Sequence, residues 1–161
     1  MRKISFILLF VLTLVARASM AQETYSVPHY DIVSCGTGLE STYSAEVSVY
    51  QKKPNKDVEA NVRKAAVHGV LFKGLSAGNG GRAQRPIVDA ATEKQHADFF
   101  NSFFSDEARY SRYVTVVDGS IRVEKTEKKL YRVRAVVSIQ KDALRADLEK
   151  EDIIESFKKI F

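Results

Sequence analysis

The sequence predicts an α+β fold, a two-layer sandwich in which helices pack on one face of a mostly antiparallel sheet with a long C-terminal β-hairpin. Three observations carry this expectation. First, two stretches alternate with the period of two of a half-buried strand. In residues 43–51, Ala45, Val47 and Val49 oppose Glu46 and Ser48; in residues 131–140, Tyr131, Val133, Ala135, Val137 and Ile139 oppose Arg132, Arg134, Ser138 and Gln140. Second, Val58, Val62, Ala65, Ala66, Gly69 and Phe72 recur at helical spacing along residues 56–73, an apolar stripe that needs a sheet to cover. Third, a strand over 113–117, a bend at Gly119 and a continuation through Ile121 and Val123 lead by a turn at 126–129 into the strand over 131–140. That order builds a long β-ribbon.

The remaining elements follow from local signals. An extended lead with Pro28 precedes a first strand over 30–34. Lys52-Lys53-Pro54-Asn55 ends the second strand, and Asn55 is suited to cap the helix that follows. Gly74 is placed to stop that helix in a left-handed conformation, and the small residues Ala65, Ala66 and Gly69 let it lie close to the sheet. A loop over 75–85 centres on Gly78, Asn79, Gly80 and Gly81, and 86–89 form an extended link. Thr92-Glu93-Lys94-Gln95 has the form of a capping box. The helix it opens carries Phe99, Phe100, Phe103 and Phe104 as two i,i+4 pairs. Asp142 caps a final helix with Leu144 and Leu148 on one side, and Ile153, Ile154, Phe157 and Ile160 extend the apolar pattern into a tail, 153–161, expected to pack on its own domain.

Residues 1–21 have the layout of a secretory signal peptide: Arg2 and Lys3, an apolar run over 4–16, then Ser19-Met20-Ala21. The run is shorter than the roughly 18–20 residues of a spanning helix, so no transmembrane segment is expected after cleavage. The expected domains are the signal peptide, 1–21, and a single α+β domain, 22–161, exported to a periplasm or to the medium. Three of the 25 Lys and Arg residues leave with the leader, so 22 basic residues face 20 acidic ones and the net charge falls from +5 to +2. That excludes the basic footprint of a nucleic-acid binder. Lys128, Lys129, Arg132 and Arg134 surround Tyr131, but Tyr131 and its arginine neighbours point to opposite faces of a strand.

Chemistry-bearing residues are sparse. Cys35 is the lone cysteine, so packing rather than an internal disulfide holds the fold. It reads as a small buried residue in a Gly-containing turn, with a Cys35-dependent hydrolase as the weak alternative. His29, His68 and His96 lack partners at metal-ligand spacing and read as solvated or helix-surface residues, so no metal and no cofactor is expected. The glycine-rich stretch follows a helix C-terminus instead of opening a helix, which argues against a phosphate cradle. It reads as a mobile surface loop, although Arg82 and Arg85 within it can meet an anion.

The Ala-rich helix Val62-Arg63-Lys64-Ala65-Ala66 and the run Tyr131-Arg132-Val133-Arg134-Ala135-Val136-Val137-Ser138-Ile139, flowing into Ala143-Leu144-Arg145-Ala146-Asp147-Leu148-Glu149, carry a resemblance. The chain resembles small α+β modules of bacterial envelope accessory proteins, among them secreted proteins of Bacteroidetes type. In outline it is similar to the N-terminal module of flagellar and outer-membrane assembly lipoproteins. The resemblance implies no catalytic residue, and Cys35 is not where such a lipoprotein carries its lipid.

The expected function is that of an exported, non-enzymatic envelope protein that docks on another envelope protein through a basic sheet face carrying Arg132 and Arg134. The alternative is a small-molecule or anion-binding protein using the loop from Gly78 to Arg85, with Arg82 and Arg85 as contacts.

Overall fold

Alternation in the second strand produces the centre of the fold. The computed structural model describes residues 24–36, 41–53, 57–126 and 129–156; the expected leader, the Asn55 cap, Lys128, and Phe157 and Ile160 of the tail lie outside them. Strands β1 (His29–Ser34), β2 (Tyr43–Gln51), β3 (Val114–Val116), β4 (Arg122–Lys125) and β5 (Tyr131–Ile139) form an antiparallel sheet in the order β1-β2-β5-β3, with β4 also on β5. Ala45, Val47 and Val49 face Val137, Ala135 and Val133 across the β2–β5 ladder, and all six are buried. The architecture is α+β, as the sequence predicts, with the apolar sheet face covered by helices.

The C-terminal ribbon is a single long hairpin with an interruption. β3 pairs with the far end of β5 and β4 with its near end, while Gly119, at φ 67°, turns the chain between them. The Ser120 side chain replaces the missing ladder there: Val136 N donates to Ser120 Oγ at 3.1 Å, and that hydroxyl donates to Val117 O at 2.6 Å.

Helix α1 (Val58–His68) buries Val62, Ala65, Ala66 and Val67. Where the stripe predicts one regular helix, the chain widens after His68 into a π-helical turn, Gly69–Lys73, closed by Gly74 N donating to Gly69 O at 2.8 Å. Gly74 has φ 74° and ψ −174°, an extended glycine conformation rather than the expected left-handed helical one. It lies so close to the returning chain that a Cβ would meet Gln84 O at 2.2 Å. The carbonyls freed at the end of the turn are taken by the 86–89 link, with Ile87 N donating to Val70 O and Val88 N to Leu71 O.

The glycine-rich stretch is not an open loop. Leu75 bridges Gln84 and Gly78 bridges Gly81. Asn79 and Gly80 both have positive φ, 48° and 79°, the signature of a type I′ hairpin turn. This hairpin lies along β1, where Ser34 N donates to Ser76 O at 2.8 Å, and it shields part of that edge.

Four further boundaries differ from the sequence reading. Helix α2 (Ala90–Gln95) is capped by Asp89, whose Oδ1 accepts from Thr92 N at 2.8 Å, so Thr92 lies inside the first turn. A break at His96 separates α2 from α3 (Ala97–Ser105), which buries Phe100, Phe103 and Phe104. A short helix with no apolar period of its own, α4 (Glu107–Ser111), follows a cap by Asp106. Helix α5 (Lys141–Lys150) opens at Gln140, which places Asp142 in the first turn instead of at the cap. Leu144, Leu148 and Ile153 are buried, so the start of the tail packs on its own helix layer. Tyr113 donates to Asp147, and Arg112 pairs with the same carboxylate.

Candidate functional site

An open cleft of about 750 Å³ lies at one end of the helix layer. Three parts of the chain that are distant in sequence build it. The lead contributes Tyr25, Val27 and Pro28, β1 contributes His29 and Tyr30, and the end of α1 with the π-turn after it contributes His68 and Lys73. The opposite wall is Glu93 and Lys94 of α2 with Ala97, Phe100 and Asn101 of α3. Val27 packs against the core, and Tyr25 straps the lead to the helices. Its ring stacks on Phe104 at 4.6 Å, its N–H donates to Asn101 Oδ1 at 3.4 Å, and its hydroxyl donates to Glu93 Oε1 at 3.5 Å.

The π-turn sets the polar end of this cleft. At 3.6 residues per turn, two positions five apart stand about 140° apart around a helix. An i→i+5 turn brings them back toward one side, and His68 and Lys73 accordingly line the same wall. Turns of this kind are frequent at functional sites. The Lys73 ammonium is held in place: Nζ lies 4.1 Å from the Tyr30 ring centroid and donates to Tyr30 O at 3.2 Å.

His68 is not the solvated helix-surface residue its sequence context suggests. Its Nδ1 and the Tyr30 hydroxyl are 2.6 Å apart, and its ring touches those of Tyr25, Phe72 and Phe104. Burial, reinforced by the Lys73 charge, pulls the imidazole down from 6.5 to about 4. The ring is therefore neutral at pH 7. A neutral imidazole has one donor and one acceptor nitrogen, and Nδ1 is the one engaged with the Tyr30 hydroxyl. Burial pushes the Tyr30 hydroxyl well above the usual tyrosine range, and burial with the nearby Glu93 carboxylate pushes Tyr25 up to about 12. Both phenols stay protonated.

The residues singled out from sequence lie elsewhere. Arg132 and Arg134 do share the open face of the sheet, but Glu124 of β4 sits between them. Arg132 Nη2 is 2.6 Å from Glu124 Oε2, and Arg134 pairs with Oε1. Hydrogen bonds from Arg132 and then Arg134 hold the Glu124 carboxyl below its usual range. Strand register puts Arg122 on this face too, along with Asp31 and Glu46. Among the described strand residues, three arginines thus meet three carboxylates, and the face expected to be basic is close to balanced. Tyr50 donates to Asp31 Oδ2 at 3.0 Å and stands 5.3 Å from the His29 ring.

Arg82 and Arg85 are exposed on the returning arm of the hairpin, away from the cleft lining. The amides of Gly78 and Gly81 are spent on each other's carbonyls, so the turn offers no cradle from them. Cys35 is half-buried rather than buried, and Asn79 Nδ2 lies 3.7 Å from its Sγ. Among the described residues no three His, Cys, Asp or Glu side chains gather as metal ligands, and no helix is long and apolar enough to cross a membrane.

The arrangement defines an α+β domain with an aromatic cleft at one end of its helix layer. No protein-family model matches the chain, and no curated protein or solved structure matches it.

Proposed function

We infer that the chain is an exported, non-catalytic binding protein of the cell envelope that takes a small molecule into the cleft bounded by Tyr25, Tyr30, His68 and Phe100. One observation carries this reading. A concave site within the 300–1,000 Å³ range of ligand pockets has aromatic walls and a few placed polar groups, among them a histidine far from its ordinary titration range. The export component rests on the leader-like residues 1–21. Relative to the sequence reading, the proposed ligand site moves from the loop Gly78–Arg85 to the helix end. The test is a small-molecule screen by thermal shift, followed by NMR mapping. Compounds that raise the melting temperature are expected to shift the Tyr25, His68 and Phe100 signals, and Tyr25→Ala to abolish the effect. Hits that map to Arg82 and Arg85 instead would return the site to the hairpin.

Docking on another envelope protein through the open sheet face is the second reading. It is favoured by a face that the helices leave uncovered and that orders polar side chains across four strands, from Asp31 through Tyr50 and Arg132 to Glu124. Because reversing the arginine charges would set extra carboxylates against Glu124, the informative variant is Arg132→Gln with Arg134→Gln. Under this reading it loses a partner captured from envelope extract while its melting temperature holds. Undiminished capture would exclude these arginines as the dock.

A further inference from the structure

The cleft carries more chemistry than a hydrophobic recess needs. Its body is apolar, lined by Tyr25, Val27, Pro28 and Ala97, with the nearly buried Tyr30 and Phe100 behind them. Its charges lie at the rim and do not cancel. Lys73 and Lys94 both line it and both are exposed, against the single carboxylate of Glu93, which already accepts the Tyr25 hydroxyl. His68 adds a neutral imidazole bonded through Nδ1 to Tyr30.

Lys73 is the distinctive group. A surface lysine ordinarily gives up side-chain entropy when it grips a ligand. Here the π-turn delivers the ammonium to the wall, the Tyr30 ring lies beneath it, and the Tyr30 carbonyl takes one of its three N–H donors. The remaining donors are held beside an aromatic floor before any ligand arrives, which lowers the cost of binding. A ligand that satisfies this site pairs an apolar body, for the rings, with an anionic head, for Lys73 and Lys94.

We propose that the cleft binds an amphipathic organic carboxylate, with its aromatic or acyl body against Tyr25, Val27, Pro28 and Ala97 and its carboxylate at the ammonium groups of Lys73 and Lys94. This rests on the cleft being the ligand site. A neutral molecule of the same shape fills the apolar part alone. An organic cation meets two ammonium groups at the rim and is disfavoured.

The experiment uses a matched pair of probes, 4-phenylbutyrate and its uncharged amide, titrated into the purified protein and followed by calorimetry and NMR. The carboxylate is expected to bind at least about tenfold more tightly, the weight of a charge-assisted hydrogen bond over a neutral one. Both probes should shift Tyr25, His68 and Phe100. The double variant Lys73→Met with Lys94→Met keeps the aliphatic stems and should bring the acid down to the affinity of the amide, while the amide still shifts Tyr25, His68 and Phe100 and so reports an intact cleft. Equal affinity of acid and amide for the unaltered protein would overturn the carboxylate class while leaving the cleft as a ligand site. Failure of both probes at millimolar concentration to move those three residues would overturn both the ligand class and the cleft as the site. An advantage for the acid that survives the double variant would overturn the role given to the two lysines.

Discussion

Replacing Phe104 with alanine is expected to lower the free energy of unfolding by about 3–5 kcal/mol, the usual cost of deleting a fully buried phenylalanine. Phe104 has no exposed surface, and it joins two groups of aromatic rings. On one side its ring lies 5.0 Å from Phe103 and 5.9 Å from Tyr110, which ties α3 to α4. On the other it stacks on Tyr25 at 4.6 Å and approaches His68 at 5.7 Å and Phe72 at 6.2 Å. Truncation would open a cavity in that cluster and release the Tyr25 strap, so stability and probe binding should fall together. Urea unfolding measures the first, with a lower midpoint at unchanged slope. Phe104→Leu, which refills much of the volume, should recover a large part of the loss. A loss below about 1 kcal/mol would mean that the helices do not pack on this ring as described.

The strands were legible because a half-buried strand needs only alternation, and residues 43–51 and 131–139 alternate without interruption. The broken ribbon was legible for the same reason, with Gly119 marking its bend. Local competition decided the misplaced boundaries. Both Asp89 and Thr92 can cap a helix, and the carboxylate three residues upstream of the Thr92 amide won. The hairpin at residues 78–81 did have a signal in the dipeptide Asn79-Gly80, which a general reading of glycine as loop passed over.

The cleft was the least legible part. It joins residues near 25–30, 68–73 and 93–101, and neither Tyr25 nor Tyr30 stands out in its own segment. The π-turn has no composition signal in Gly69–Lys73, since the apolar stripe continues through it. One hint was available at His68, which lies three residues after Ala65 and four before Phe72, at the edge of that stripe rather than opposite it. The arginines show the same limit in another form. Their shared face follows from parity alone, but the Glu124 between them depends on the register of the ribbon.

Acidification should expose the His68 environment directly. In the unfolded chain the imidazole titrates at about 6.5, and in the fold at about 4. Between these values the unfolded state binds the extra proton, so the penalty is absent above pH 6.5, grows as the pH falls, and levels off near pH 4. At about 1.36 kcal/mol for each pH unit of difference, the loss has an upper bound on the order of 3 kcal/mol, reduced by solvent screening at the part of the ring that water reaches. Carboxylates across the molecule also titrate at the lower end of this window, so the diagnostic quantity is a difference between variants. His68→Gln keeps a polar partner for the Tyr30 hydroxyl but cannot take up the proton, and its stability should fall less steeply between pH 6.5 and 4. Lys73→Met removes the charged contributor and leaves burial by Tyr25, Tyr30, Phe72 and Phe104, so His68 should titrate between the two limits, as followed by NMR. A carboxylate seated beside Lys73 offsets the same charge, so His68 should also titrate higher with 4-phenylbutyrate bound. Parallel pH–stability curves for the unaltered protein and His68→Gln would show that the imidazole is not held in this aromatic cage, and the floor of the cleft would then have to be redrawn.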